Sequence, residues 1–329
     1  MCCAGWRWST AGRGRAVNFD EPRFLVLGAG AVGGYFGGRL AAAKADVTFL
    51  VRPARAAALN ERGLVIDSPM GDLRLPVRVA TADTLNGVFD AVLLTAKAYD
   101  LDQAIATIQP AVGPGTAILP VLNGLRHLDR LDAAFGPERV LGGVAYIAAT
   151  LTAEGAIRHL NRVHGIAFGE RSGAVSRRVG AIAGAFASTP VDASVSDSIL
   201  LDMWVKFVMI SSLAGMNCLM RGSIGDILAA DEGESLTLEL LAECEAVATA
   251  SGFPPRKQHR EQCRAMLTER GSNFSASMRR DLEAGLRTEG DQVLGDMLRR
   301  ARANGIDAPL LRTAVCHLQV HERRLAARH

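Results

Sequence analysis

The first regular apolar pattern is the block Phe24-Leu25-Val26-Leu27, which suits a buried strand and runs through six small residues into an apolar helical stretch ending near residue 43. Similar blocks at 46–51 (DVTFLV), 64–66, 73–79, 91–95 (AVLLT) and 116–119 predict further strands, with a helix over about 100–108. Segments 64–66 and 73–79 flank the turn sequence Ser68-Pro69-Met70-Gly71. Strands alternating with helices predict an α/β, doubly wound parallel sheet. From 144 to 168 the pattern changes to short extended pieces, VAYIAATL, AIRHL and HGIAFGE, joined by Thr152-Ala153-Glu154-Gly155 and by Asn161-Arg162. These predict antiparallel strands extending the same sheet, with His159 and His164 in cross-strand or surface roles rather than as metal ligands. A helix over 172–188 and a strand over 191–195 follow, and beyond Ser196 only helical patterns remain. The expected division is a loose extension over 1–22, an α/β domain over 23–196 and an all-α domain over 197–329.

The six small residues carry the first chemistry. Gly28-Ala29-Gly30-Ala31-Val32-Gly33 sits between a strand and a helix, the context in which a glycine-rich turn binds the pyrophosphate of a dinucleotide. Gly28 can take the turn's backbone angles, Gly30 leaves room for the phosphates, and Gly33 lets the helix pack closely. Free N–H groups at the helix start would face the anion. The second strand ends at Arg52, 19 residues after Gly33, where an acidic residue would accept the ribose hydroxyl of NAD and an arginine suits the 2′-phosphate of NADP. The pattern therefore favours NADPH; a solvated arginine opening the next helix is the alternative. Lys97 and Asn123 follow the strands at 91–95 and 116–119, where an open α/β sheet binds its ligands.

Composition narrows the class without naming a reaction. The 37 basic and 34 acidic residues leave a net charge of +3, too balanced to argue for a nucleic-acid surface. The six cysteines form no C-x-x-C pair and no zinc-like spacing with histidine, so no metal is expected and the thiols are read as reduced, in a cytoplasmic protein. The arginine-bearing opening lacks a signal-peptide core, and no apolar run elsewhere is read as reaching membrane-spanning length, so no membrane partner is expected. Oligomeric state is left open, a homodimer being one option.

The helix predicted over 198–220, SILLDMWVKFVMISSLAGMNCLM, is apolar all round and should be buried, yet Lys206 stands in its middle. A buried ammonium needs a partner or a function. Asp202, one turn earlier, could pair with it. Alternatively the ammonium faces a cleft, with desolvation and a nearby cofactor lowering its pKa toward the range useful for proton transfer.

With GAGAVGG, LLTAKA at 93–98, LNG at 122–124, the W-x-K pattern at Trp204 to Lys206, SASM at 275–278 and RTEGD at 287–291, the chain resembles the ketopantoate reductase (2-dehydropantoate 2-reductase) family from about residue 23 to 325. The resemblance implies a Rossmann domain joined to a helical domain, and NADPH-dependent reduction of a small-molecule 2-keto acid, 2-dehydropantoate, to pantoate on the way to pantothenate. It implies that Lys206 is the catalytic proton donor and that Glu289 holds substrate and site geometry. Ser277 would hydrogen-bond substrate, Lys97 and Asn123 would contact cofactor, and Asn123 would also lie near substrate. Without the resemblance, Ser277 and Glu289 read as an N-cap or solvated helix residues.

The pattern departs from pantoate-forming members at Ile210 and Ala214, where asparagines stand one and two turns after the lysine. That wall should be more apolar. Glu289-Gly290-Asp291 replaces E-I-D, keeping both acids and loosening the helix start. A paralogous reductase acting on a more apolar 2-keto compound, or a non-catalytic dinucleotide-binding regulator, are the alternatives.

Overall fold

A computed structural model describes residues 21–327. The extension expected at 1–22 falls, but for its last two residues, outside the described residues, as do Cys2 and Cys3. The chain forms two compact units, one of residues up to Leu122 with His127–Ile199, the other of Asn123–Arg126 with Leu200 onward.

The first unit holds, in chain order, β1 (Phe24–Leu27), α1 (Ala31–Ala42), β2 (Val47–Leu50), α2 (Pro53–Arg62), β3 (Leu64–Asp67), β4 (Leu73–Leu75), β5 (Arg78–Ala80) and β6 (Phe89–Leu94). It continues with α3 (Leu101–Ile108), β7 (Val112–Pro120), α4 (Arg126–Phe135), β8 (Gly142–Leu151), β9 (Ile157–Gly169), α5 (Arg177–Ala187) and β10 (Asp192–Val195). The first sheet is wholly parallel in the order β5-β2-β1-β6-β7. Strand order reverses at β1, and in open α/β sheets ligands bind beyond the carboxyl ends of the strands at such a point, here β1 and β6.

A second sheet, β10-β9-β3-β4 with β8 along β9, corrects three expectations. Segments 144–151 and 157–169 do not extend the parallel sheet; they pair with each other, and β9 also runs parallel to β3 and β10. The turn signal Asn161-Arg162 does not break the strand. The register instead jumps between Ile147 opposite His164 and Ala149 opposite His159, so the polar residues sit in a bulge, with Asn161 Oδ1 accepting from the Val163 N–H at 3.2 Å. Segment 73–79 is two strands in different sheets: Pro76 carries no donor, and the chain crosses there from β4, hairpinned on β3, to β5 beside β2. The helix expected from 172 begins at Arg177, because Gly173 takes a left-handed φ of 81° and Ser176 Oγ caps the helix through the Val179 N–H.

Helix α1 packs on β1, β2 and β6 of one sheet and on β3, β4, β8 and β9 of the other, so both sheets share its core. Its outer turns meet a polar cluster that is almost wholly buried. Tyr35 Oη lies 2.8 Å from His164 Nδ1, and Ser68 Oγ lies 2.9 Å from His159 Nδ1. Arg39 stacks over Tyr35 and donates to the Gly71 carbonyl at 2.6 Å. Burial, the largest influence, lowers the pKa of both histidines.

The second unit is helical: α6 (Ile199–Met220, one residue shared with the first unit), α7 (Ile224–Leu228), α8 (Gly233–Ala250), α9 (Lys257–Leu267), α10 (Ser277–Glu283), a π-turn (Asp291–Gly295), α11 (Asp296–Ala303) and α12 (Pro309–Ala326). By length and composition α6 does pass as a membrane span, although 72% of its most apolar window is buried within the protein. It is the core helix of this unit, against which Leu240 of α8, Leu294 of the π-turn and Ala314 of α12 pack at Gly215. Trp204 stacks on Phe253 at 5.6 Å with the Arg300 guanidinium over its ring, which fixes the helix to its neighbours.

Candidate active site

In the first unit the glycine turn closes β1 onto α1. Gly28 takes φ 92°, a left-handed angle that suits glycine, and its N–H donates to the Leu50 carbonyl at 2.9 Å. A β-carbon on Gly33 would collide with the Gly28 carbonyl and with Thr95 Oγ1, whereas one on Gly30 would meet nothing within 4 Å. Gly30, at the N-cap of α1, offers no side chain to the helix start, and the first intrahelical bond comes from the Gly34 N–H at 2.8 Å. The N–H groups of Ala31, Val32 and Gly33 therefore point past an open surface, an arrangement that fits a pyrophosphate. Ala29 lies buried under the turn.

Thr95 is a residue the sequence reading passed over, although it lies inside the LLTAKA motif. Its hydroxyl donates to the Leu27 carbonyl at 2.8 Å, tying the end of β6 to the end of β1 beneath the turn. The side chain of Arg52 is 75% exposed and pairs with Asp100 at 3.1 Å. Asp100 in turn donates its N–H to the Lys97 carbonyl at 2.9 Å, so Arg52 and Lys97 come together beyond the carboxyl ends of β2 and β6, the strands flanking β1. Arg55 is held more firmly, its guanidinium donating to the Ala29 and Gly155 carbonyls at 2.9 Å each. It braces the glycine turn against the β8–β9 hairpin.

In the second unit Lys206 is half-buried in the middle of α6. Accessible surface remains on the residue, yet the ammonium lies deep enough that burial lowers its pKa from 10.5 to about 8. A carboxylate that partly offsets this is Glu289, itself only 8% exposed, while Asp202 raises the pKa of His259. A lysine and a glutamate far apart in sequence thus form one electrostatic pair.

Asn123 is brought to the same unit by its loop. Gly124, at φ 80°, lies so close to the π-turn that a β-carbon would sit 3.0 Å from the Gln292 carbonyl, and Arg126 Nη1 donates to Asp291 Oδ2 at 2.7 Å. The LNG and RTEGD motifs are therefore docked on each other. The start expected to be loose at Gly290 is not loose: it is helical, buried and pressed against Leu318 of α12.

Ser277 is the first residue of α10, exposed, and not its N-cap. Its neighbour Ala276 donates its N–H to Asn217 Oδ1 at 2.8 Å, while Asn217 Nδ2 donates to the Gly222 carbonyl at 2.8 Å. Both ends of that buried amide are occupied, and it stands about 16 Å along the helix axis from Lys206. The Ala276 bond thus ties the start of α10, where Ser277 stands, to Asn217 of α6. Ser275 was not singled out by sequence; its buried Oγ has no hydrogen-bond partner among the described residues. The wall next to Lys206 is Ile210, half-buried, and Ala214, buried.

Residues 24–173 match the family described as Ketopantoate reductase PanE/ApbA, and residues 198–322 match its C-terminal counterpart. The chain is 38% identical over 301 residues to the "Uncharacterized oxidoreductase YkpB" of Bacillus subtilis, covering 91% of this chain and 99% of that protein. It is 28% identical over 295 residues to a 2-dehydropantoate 2-reductase of Mesorhizobium japonicum, covering 83% and 89%. Among solved structures, 2-dehydropantoate 2-reductase from Methylococcus capsulatus superposes with a TM-score of 0.82 at 28% identity, over 92% of this chain and 97% of that one.

Proposed function

Since the chain belongs to the ketopantoate reductase family of dinucleotide-dependent oxidoreductases, we propose that it reduces a 2-keto acid with NADPH, using Lys206 as the general acid. The observation that carries this reading is an ammonium in the middle of an apolar helix with its pKa lowered to about 8, beside a buried glutamate. Bound NADPH supplies the hydride that adds to C2 of the keto acid. Lys206 Nζ gives its proton to the carbonyl oxygen as negative charge develops there, leaving a neutral amine and a 2-hydroxy acid. Glu289 keeps the lysine protonated at neutral pH by opposing the effect of burial. Asn123 and Ser277 orient the substrate, and neutral amide and hydroxyl groups do so without adding charge of the same sign as its carboxylate. On the other unit the Gly28–Gly33 turn holds the pyrophosphate, while Arg52 and Lys97 receive the cofactor's anionic groups.

Ketopantoate is the first substrate to test, given the named relatives. Ile210 and Ala214 favour a second reading, a 2-keto acid with an apolar tail, because that wall offers no partner to a substrate hydroxyl and Asn217 is already engaged at both ends. The two readings separate by following NADPH oxidation with ketopantoate and with 2-ketoisovalerate. Turnover of neither by folded, NADPH-binding protein would leave a non-catalytic regulator as the better account.

A further inference from the structure

Glu289 sits on a short segment, 286–290, between α10 and the π-turn, and the last turns of α12 hold that segment at three successive points. His321 Nε2 lies 2.8 Å from the Leu286 carbonyl. Glu322 Oε1 accepts from both the Thr288 N–H and the Thr288 hydroxyl, at 2.7 Å each. Leu318 fills the space over Gly290, where a β-carbon would lie 2.7 Å from Leu318 Cδ1. Thr288 passes the restraint on, because its Oγ1 also accepts from the Gly290 N–H at 3.3 Å. The residue between these two anchors is Glu289, whose own carbonyl receives the Gln292 and Val293 N–H groups at 3.1 and 3.0 Å to start the π-turn.

We infer that Glu322 is a positioning residue for the reduction, acting through Thr288 to hold Glu289 against Lys206. The carboxylate is suited to this because one oxygen accepts two donors of the same residue, which fixes both the backbone and the side-chain rotamer of Thr288. Both groups it bonds belong to a residue only 6% exposed, so their loss is not made good by bulk water. A glutamate that drifts from Lys206 also removes the influence that keeps the ammonium charged, so a defect at Glu322 should be read at the lysine. This inference rests on the role proposed for Lys206, but part of its test does not.

The test compares Glu322→Ala, Glu322→Gln and Thr288→Val, with folding checked by thermal melts. In the apoprotein, with lysine ε-carbons labelled, Glu322→Ala should move the Lys206 titration to lower pH, while Glu322→Gln, which retains an acceptor oxygen, should leave it nearly in place. With substrate, Glu322→Ala should lower kcat roughly 10- to 100-fold with the Kd for NADPH within about twofold of the starting value, the scale expected when a reacting group is misplaced by about 1 Å. Glu322→Gln should recover most of that loss. If Glu322→Ala does not fold, Thr288→Val, which keeps the backbone donor and the side-chain shape, should show a smaller shift in the same direction. A Lys206 titration unmoved in Glu322→Ala, or in Thr288→Val where that variant stands in for it, overturns the inference. Equal kcat losses in the alanine and glutamine variants that track their melting temperatures do so as well. Because the titration needs no substrate, a protein that reduces no keto acid would sink the proposed reaction and still leave this measurement decisive.

Discussion

Arg126 Nη1 meets Asp291 Oδ2 at 2.7 Å, and the other oxygen of that carboxylate takes Arg299 Nη1 at 2.8 Å. The pair joins the loop carrying Asn123 to the residue two places after Glu289. Its side chains are 38% and 55% exposed, so each ion pair should contribute only about 0.2–1 kcal/mol. Asp291→Ala, which removes the carboxylate shared by both arginines, should destabilise more than Arg126→Ala, and a double-mutant cycle by urea denaturation should find a small positive coupling. Equal effects from the two single variants would mean that Arg299 adds nothing.

Lys206→Ala should reduce kcat about 10²- to 10⁴-fold, the usual contribution of a positioned acid, with NADPH affinity nearly unchanged. Stopped-flow reduction and equilibrium fluorescence titration measure the two separately. An unaltered kcat would remove the lysine from the chemistry.

The rate should also carry the lysine's titration. With a folded pKa of about 8, kcat/KM for reduction should fall about tenfold per pH unit above that value as the acid loses its proton. A profile flat to pH 10 would assign the proton to another group. The same depression bears on stability with a definite sign. Between about 8 and the ordinary 10.5 the unfolded chain binds more protons, so stability rises with pH across that window and the penalty is fully present below it. Lys206→Met should therefore gain stability below pH 8, by at most about 3 kcal/mol less the cost of leaving Glu289 alone, and the gain should vanish toward pH 10.5.

Acid should also act on the other unit. His159 and His164 are 4% and 1% exposed and burial holds both below the ordinary 6.5, against a raising influence of Asp192 on His164 and lowering ones from Arg39 on each. The unfolded chain then takes up protons that the folded one refuses, so stability should decline as pH falls below 6.5 toward the folded values. Replacing both histidines by glutamine should flatten the dependence of the urea midpoint on pH between 7.5 and 5. A slope that persists in the double variant would place the acid sensitivity elsewhere.

Arg52→Ala should weaken NADPH roughly 10- to 100-fold and NADH little, since a charge-assisted bond to the extra phosphate is worth about 1.5–3 kcal/mol. Asp100→Asn, which frees Arg52 from its present partner at 3.1 Å, should tighten NADPH modestly. Calorimetric titration with both cofactors decides this. Equal losses for the two would refute the phosphate assignment.

The parallel sheet was legible because each strand is a short apolar block closed by turn residues, and Phe24–Leu27 emerges with the bounds its hydrophobicity predicts. The second sheet was not, since pairing partners such as Ile66 and Ile157 lie far apart in the chain and no local pattern distinguishes one sheet from another. Pro76 was the available clue that 73–79 is not one strand. Lys206 announced itself as a charge in an apolar helix. Its electrostatic link to Glu289 did not, because that link depends on how α6 and the π-turn pack and not on local spacing. Thr95 and Glu322 act through hydrogen bonds to backbone groups, which leave almost no trace in residue type.

Gly290 shows how little room the terminal helix leaves. An isoleucine at this one position, as in E-I-D, would put a β-carbon 2.7 Å from Leu318 Cδ1 and 3.1 Å from its Cβ, so Leu318 must give way on the helix that also bears His321 and Glu322. The missing side chain at 290 and the leucine that occupies its space are one mechanical part, to be exchanged together or not at all.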